Sequence, residues 1–269
     1  AMIAHILRAG GKAPSFYVGA LVPDLEGNAA VGSGEHFVIE SDESDGTLSE
    51  FRPYDLVILN IEAEHLDFYR NLESIERAFE SLARSATRRV IFCADDAGAA
   101  RVGFTLKNGI AYSVEGSGFG VQDSDVGRVP SRGVEGVSVS WRASDIQQKE
   151  DRTSFKVWHE EKCLGNVRLM IPGVHNVSNA LAALATTTDL GVEFAVGASA
   201  LEVFRGARRR FERLFESDEF LLVNDYAHHP TEVRATIASG RQKGRKRVLA
   251  VFQPHRYSRV QALSGDFGR

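Results

Sequence analysis

The sequence predicts an α/β fold: a mostly parallel central sheet with helices on both faces, a small antiparallel subdomain, and the start of a further strand–helix–strand unit. Three observations carry that expectation. Short runs rich in β-branched and aromatic residues, Phe37–Ile39, Leu56–Leu59 and Arg89–Cys93, have the length of strands buried in a parallel sheet, and helical periodicity lies between them. From Ile110 to Ile171 the pattern changes to alternating or β-branched runs separated by polar turns, which reads as antiparallel. Beyond Gly206 a fresh strand and helix begin, so the expected division is residues 1–206 and residues 207–269.

Taken in order, Ala1–Arg8 is amphipathic helix ending at Gly10-Gly11, a helix stop signal. Phe16–Val22 is an expected strand, followed by a Gly/Pro/Asn-rich loop to Gly34. After the buried runs Phe37–Ile39 and Leu56–Leu59, the segment Leu72–Arg84 sets Leu72, Ile75, Phe79 and Leu82 on one helical face. Arg89–Cys93 is a strand ending in Ala94-Asp95-Asp96. The antiparallel part is expected from Ile110–Val114, Gly136–Trp141, Ser154–Trp158 and Asn166–Ile171. Helix returns from Pro172 through Leu190, is stopped by Gly191, and is followed by a second helix over Phe194–Phe204. In the last unit Phe220–Val223 and Val248–Phe252 are expected strands, and Pro230 suits a first helical position. Both ends read as interior sequence, which suggests a piece of a longer protein.

A hydrophobic fraction of 43% and a charged fraction of 25% are those of a globular protein. A net charge of −4 argues against nucleic acid as a partner. Basic residues cluster in Arg205–Arg213 and Arg241–Arg247, which suits discrete anions better than a polymer. Cys93 and Cys163 alone make no disulfide framework and fit a reducing compartment. With no membrane-length apolar run and no signal peptide, the expectation is a cytoplasmic protein without a membrane partner.

Several runs carry chemistry. One strand ends in Glu40-Ser41-Asp42-Glu43-Ser44-Asp45 and the next in Asn60-Ile61-Glu62-Ala63-Glu64-His65-Leu66-Asp67. Ligands of open α/β sheets bind beyond the carboxyl ends of the strands, and oxygen with imidazole suits a divalent cation that also holds phosphates. The same residues are compatible with solvated loop acids beside a helix cap. His175-Asn176 and Asn179 put two amides on one face at a helix start, suited to an adenine edge or, equally, to capping and a polar face. In Arg208-Arg209-Arg210-Phe211, Arg210 is the candidate to approach a phosphoryl group, with its neighbours read as a solvated linker. Asp225-Tyr226-Ala227-His228-His229-Pro230 and His255-Arg256-x-x-Arg259 are hard to explain by packing, and their arginines suit a carboxylate.

These runs, in this order, closely resemble the Mur ligases of peptidoglycan synthesis, and the resemblance covers essentially the whole chain. It implies a truncated ATP-binding middle domain over residues 1–206 and the start of a Rossmann-like C-terminal domain over 207–269. Within the family, DYAHHPTE with FQPHRYSR is similar to the branch that joins L-alanine to UDP-N-acetylmuramate through an acyl phosphate, a step that supports cell-wall growth, cell shape and division. The resemblance assigns magnesium to Glu40 and His65 and catalysis to these two with Arg210. It assigns ATP to His175, Asn176, Asn179, Arg210 and Asp225, and the amino acid to Tyr226, His228, His255, Arg256 and Arg259. The alternatives are another Mur-type ligase, tripeptide-recycling or folylpolyglutamate synthase-like, or a nucleotide-binding remnant without catalysis. The family's phosphate loop ending Gly-Lys-Thr-Thr is absent, so this piece alone is expected to be inactive. The carbamylated lysine that many members carry after the metal histidine has no counterpart, because no lysine lies between Lys12 and Lys107.

Overall fold

The computed structural model describes residues 1–65, 68–115, 138–149 and 152–267. Eleven strands and seven helices are described among them. Helix α1 (Met2–Ala9) buries Met2, Ala4, Ile6 and Leu7 and is closed at Gly10, whose N–H donates to the Ile6 carbonyl at 2.8 Å. Strand β1 (Ser15–Val22) buries Phe16, Val18 and Val22. It pairs antiparallel with β2 (Gly27–Ala30) and parallel with β3 (Phe37–Ile39) in a three-stranded sheet. The β2 strand lies in what the sequence presents as loop, because Gly27-Asn28-Ala29-Ala30 has no strand-forming side chains and gains its conformation from pairing with β1.

The expectation of a buried Phe37–Ile39 is corrected. The strand exists, but Phe37 is 62% and Ile39 41% exposed, and β3 bonds only to β1 and not to the larger sheet.

The six-stranded sheet runs β4 (Asp55–Ile58), β5 (Arg89–Cys93), β6 (Gly109–Val114), β7 (Val139–Lys149), β8 (Arg152–His159), β9 (Lys162–Leu169). Strands β4 to β7 are parallel, and β7 to β9 form an antiparallel meander on the same sheet. The segment Ile110–Val114 thus belongs to the parallel part. Residues 136 and 137 of the expected Gly136–Trp141 strand lie outside the described residues.

Side-chain alternation along β5 shows what covers the two faces. The ring of Phe92 meets Phe104 edge-on, and a Cβ on Gly103 would lie 2.2 Å from it, so α3 (Ala97–Gly103) covers that face. The next residue, Cys93, lies 3.9 Å from Ser178 of α4 (Val174–Asp189) on the other. The glycines that admit this close approach hide α3 from helical periodicity; its start is fixed by Asp96, whose Oδ1 accepts from Ala99 N–H at 2.7 Å. Helix α4 is core on most sides, burying Val177 and Ala180 through Thr187, and is flanked by α1 and α5 (Phe194–Val203). Helix α2 (Leu72–Ser85) lies against α3 and buries Ile75 and Leu82, as its periodicity predicts. Arg88 joins distant ends of this frame, pairing with Asp55 at the start of β4 and with Asp189 at the end of α4.

The last unit holds the hairpin β10 (Glu212–Glu216) and β11 (Leu221–Asn224), then α6 (Pro230–Arg241) and α7 (Tyr257–Phe267). Val248–Phe252 forms no strand: no described neighbour pairs with it, and Leu249 and Val251 are exposed. No described helix is long and apolar enough to cross a membrane.

Candidate active site

The loop after β4 is held by its backbone before its side chains act. Ile61 N–H donates to Asp96 Oδ1 at 3.1 Å, the same oxygen that caps α3. His65 then adopts φ +50°, a left-handed conformation uncommon outside glycine, while its carbonyl accepts from Phe68 and Tyr69 N–H at 2.8 and 2.9 Å. The turn aims the His65 ring back at two carboxylates. Its Nε2 lies 3.9 Å from Glu43 Oε1 and 3.7 Å from Glu64 Oε2.

Glu43, Glu64 and His65 form a group whose ligand atoms all lie within 4.8 Å of one another. Burial raises the Glu43 carboxyl above its ordinary range, so its charge is under-compensated there. His65 Nδ1 is buried and has no hydrogen-bond partner among the described residues. Paired carboxylate oxygens with an imidazole nitrogen facing them fit a divalent cation. Glu40 stands apart from this group. It is exposed at the end of β3, with Oε1 3.1 Å from where a Gly19 Cβ would be.

Residues of the last unit come down on this loop. Arg259, buried in α7, pairs through Nη2 with Glu64 Oε1 at 2.7 Å, and its Nη1 donates to the His255 carbonyl at 3.2 Å. The fork expected to await a substrate carboxylate is thus engaged by a carboxylate of the protein. Arg256, immediately before the start of α7, is exposed with φ +65°. The His255 ring meets His228 at a centroid distance of 5.9 Å, and His228 meets Tyr226 at 5.1 Å, so the two loops expected to form one pocket are adjacent.

Glu232 organises the Asp225–Pro230 loop. It accepts from the N–H groups of His228 and His229 at 3.0 and 3.3 Å and from Arg210 Nη1 at 3.0 Å. Although burial opposes its charge, these partners hold its carboxyl below the ordinary range. Asp225 is spent on backbone, accepting from Phe211 and Ala227 N–H at 2.7 Å each. Arg210 and Arg209 lie 6.0 and 4.5 Å from the Tyr226 ring centroid, so Arg209, read from sequence as linker, makes the closer contact.

At the start of α4 a glycine is required. Gly173 has φ +99°, and a Cβ there would lie 2.4 Å from His175 Cε1. Burial lowers the His175 pKa, keeping the ring neutral; Asp225 and Arg210 act on it in opposite senses. Asn176 donates through Nδ2 to the Pro172 carbonyl at 2.6 Å, and Asn179 lies one turn on, half-buried. His175, Arg210 and Asp225 therefore share one electrostatic neighbourhood.

Residues 20–187 match the family described as Mur ligase middle domain. The chain belongs to the Mur ligase family. Residues 209–268 of this Mur ligase chain match a second description, Mur ligase, glutamate ligase domain. The UDP-N-acetylmuramate–L-alanine ligase of Gloeobacter violaceus is 44% identical over 267 residues, 99% of this chain and 53% of the relative. That of Caldanaerobacter subterraneus is 36% identical over 270 residues, 99% of this chain and 54% of the relative. The chain thus spans about half the length of the curated relatives it matches. The crystal structure of UDP-N-acetylmuramate–alanine ligase from Thermotoga maritima superposes with a TM-score of 0.76 at 29% identity, covering 97% of this chain and 55% of that one. A murein peptide ligase from Psychrobacter arcticus, at 23% identity and a TM-score of 0.61 over 91% of this chain and 52% of its own, shares the fold.

Sequence reasoning singled out His65 but not Glu43, Glu62, Glu64, His229, Thr231 or Glu232 as partners in the site. The signal for Glu62 and Glu64 was present in the Glu-x-Glu-His spacing. Which element each faces is a tertiary fact.

Proposed function

We propose that this chain is the middle and C-terminal part of an ATP-dependent ligase that joins L-alanine to UDP-N-acetylmuramate. The division at residues 206 and 207 is adopted with it, as is a cytoplasmic setting, where ATP and the nucleotide sugar are available. The observation that carries the reading is the Arg259–Glu64 pair at 2.7 Å, which brings the histidine- and arginine-bearing loops to the cation-type cluster at the β4 end. A reaction between an activated carboxylate and an amino acid needs those two features side by side.

In this reaction the muramoyl carboxylate attacks the γ-phosphorus of ATP, releasing ADP and forming an acyl phosphate. The alanine amine then attacks the acyl carbon, and phosphate and a proton leave. His65, Glu43 and Glu64 would hold magnesium, which supplies charge neutralisation for the phosphates. Glu40 is retained as a further ligand on the family resemblance alone. His175, Asn176 and Asn179 would orient the base of ATP, and Arg210 and Asp225 would meet its phosphates and sugar as the two units close. Tyr226, His228, His255, Arg256 and Arg259 would receive L-alanine, with Arg259 able to offer its carboxylate a planar fork only by exchanging Glu64.

The test is product formation by a full-length protein carrying this sequence, with UDP-N-acetylmuramate, ATP and either L-alanine or a muramyl-type tripeptide as acceptor. ADP release dependent on L-alanine supports the reading. Release with the tripeptide but not with alanine would transfer the chain to the recycling branch.

A further inference from the structure

The loop after β4 sends alternate side chains to two elements of the last unit. Glu64 reaches Arg259 of α7, and Glu62 reaches the first turn of α6. Glu62 Oε2 accepts from Thr231 Oγ1 at 3.0 Å and lies 3.1 Å from His229 Nδ1. His229 is the N-cap of α6, and its N–H and that of His228 are held by Glu232. One oxygen of Glu62 therefore grips the base of the loop that carries Tyr226 and His228, three residues before His65 in the chain. No other described side chain of the middle unit hydrogen-bonds that turn.

We propose that Glu62 is a positioning residue that clasps the amino-acid-binding loop to the cation-binding loop. The assignment rests on the proposed ligase reading, since the value of the clasp is to fix the distance between the attacking amine and the activated carboxylate. Its contacts are to Thr231 and His229 of the last unit. Glu62 faces α6, whereas Glu64 and His65 face the cluster.

The experiment has two arms. In a full-length protein carrying this sequence, Glu62→Ala, Thr231→Val and the double variant are compared by saturation curves for L-alanine and for ATP, with Glu62→Gln as the conservative variant. Loss of a charge-assisted contact should raise the KM for L-alanine about tenfold in Glu62→Ala and leave that for ATP within about twofold. The double variant should be no worse than Glu62→Ala, because both changes remove one contact, and Glu62→Gln should recover part of the loss by keeping an acceptor. In the 269-residue chain, Glu62→Ala should speed hydrogen exchange at the amides of His229 and of residues 231–233 without lowering the melting temperature of the sheet. Additive effects in the double variant, equal changes in both KM values, or unchanged exchange would overturn the clasp. Faster exchange in a protein that ignores L-alanine would keep the clasp and remove the ligase reading beneath it.

Discussion

The loops after β3 and β4 are composed of the same kinds of residue, yet their carboxylates have different fates. After β3, Asp42 Oδ1 accepts from Ser44 N–H and Oγ at 3.1 and 2.7 Å, and Asp45 Oδ1 accepts from Thr47 N–H and Oγ1 at 3.0 and 2.7 Å. Those acids fold their own turns, Glu40 lies exposed, and Glu43 alone reaches His65. After β4, Glu62, Glu64 and His65 all make contacts beyond their own loop. Under the loops, β3 is exposed whereas Ile58 of β4 is 1% exposed. A strand locked into the large sheet can present several side chains at fixed angles. The exposed β3 of the small sheet supplies mostly local turns.

Four measurements would break or sharpen that contrast. The largest effect is expected from His65→Ala, which removes the imidazole that every reading of the site shares. Turnover of a full-length protein should fall roughly a hundredfold or more at saturating magnesium. Glu40→Ala should fall comparably if the loop after β3 also reaches the cation. A normal rate in Glu40→Ala would leave the metal to Glu43 and the loop after β4.

Next comes the footing of the two loops. Ile58→Ala should cost about 2–5 kcal/mol by denaturant unfolding, against about 0.5 kcal/mol or less for Phe37→Ala. Equal losses would mean that β3 is as embedded as β4.

The two arginines supply a third measurement. Arg256→Ala and Arg259→Ala should each raise the KM for L-alanine well above any change for ATP. Arg259→Ala should also lower the melting temperature, because it leaves the half-buried Glu64 without its partner. An unchanged melting temperature in Arg259→Ala would show that the pair with Glu64 adds nothing to stability.

The smallest effect concerns acid. The folded-state pKa of Glu232 is depressed, so its contribution to stability is present above the unfolded value of about 4.5 and is lost as pH falls through the folded value. Glu232→Gln should flatten the pH dependence of stability below about pH 4.5 and leave it unchanged near neutrality. A curve with the original slope would locate the acid sensitivity elsewhere.

Much of this was legible in sequence. The runs at Arg89–Cys93 and Leu72–Arg84 have the periodicity of the elements they form, and Pro230 starts α6 as its fixed φ predicts. What escaped has a common cause. Strand β2 and helix α3 are made of alanine and glycine, whose conformation is decided by what approaches them: Ile61 at Gly98, and Phe92 at Gly103. Val248–Phe252 has strand composition but no described neighbour to bond. In the site, the motif residues were visible because acids and histidines at strand ends have few packing explanations. That Glu43 rather than Glu40 meets His65, and that Arg259 is already paired, depends on how separate loops fold back.

Arg88 works like the pivot of a drawing compass. One leg is β4, whose far tip carries the His65 loop; the other is α4, whose far tip carries His175 and Asn176. Both legs are fastened at the opposite end of the domain by a single guanidinium, through Asp55 and Asp189. The helical leg, 16 residues long, spans roughly 24 Å, so a small angular slip at the pivot is magnified at the tips. The spacing between the start of α4 and the loop after β4 is thus fixed in part by a residue touching neither. Substitutions at Arg88 would register as blurred geometry far away, in a region where no atom had been changed.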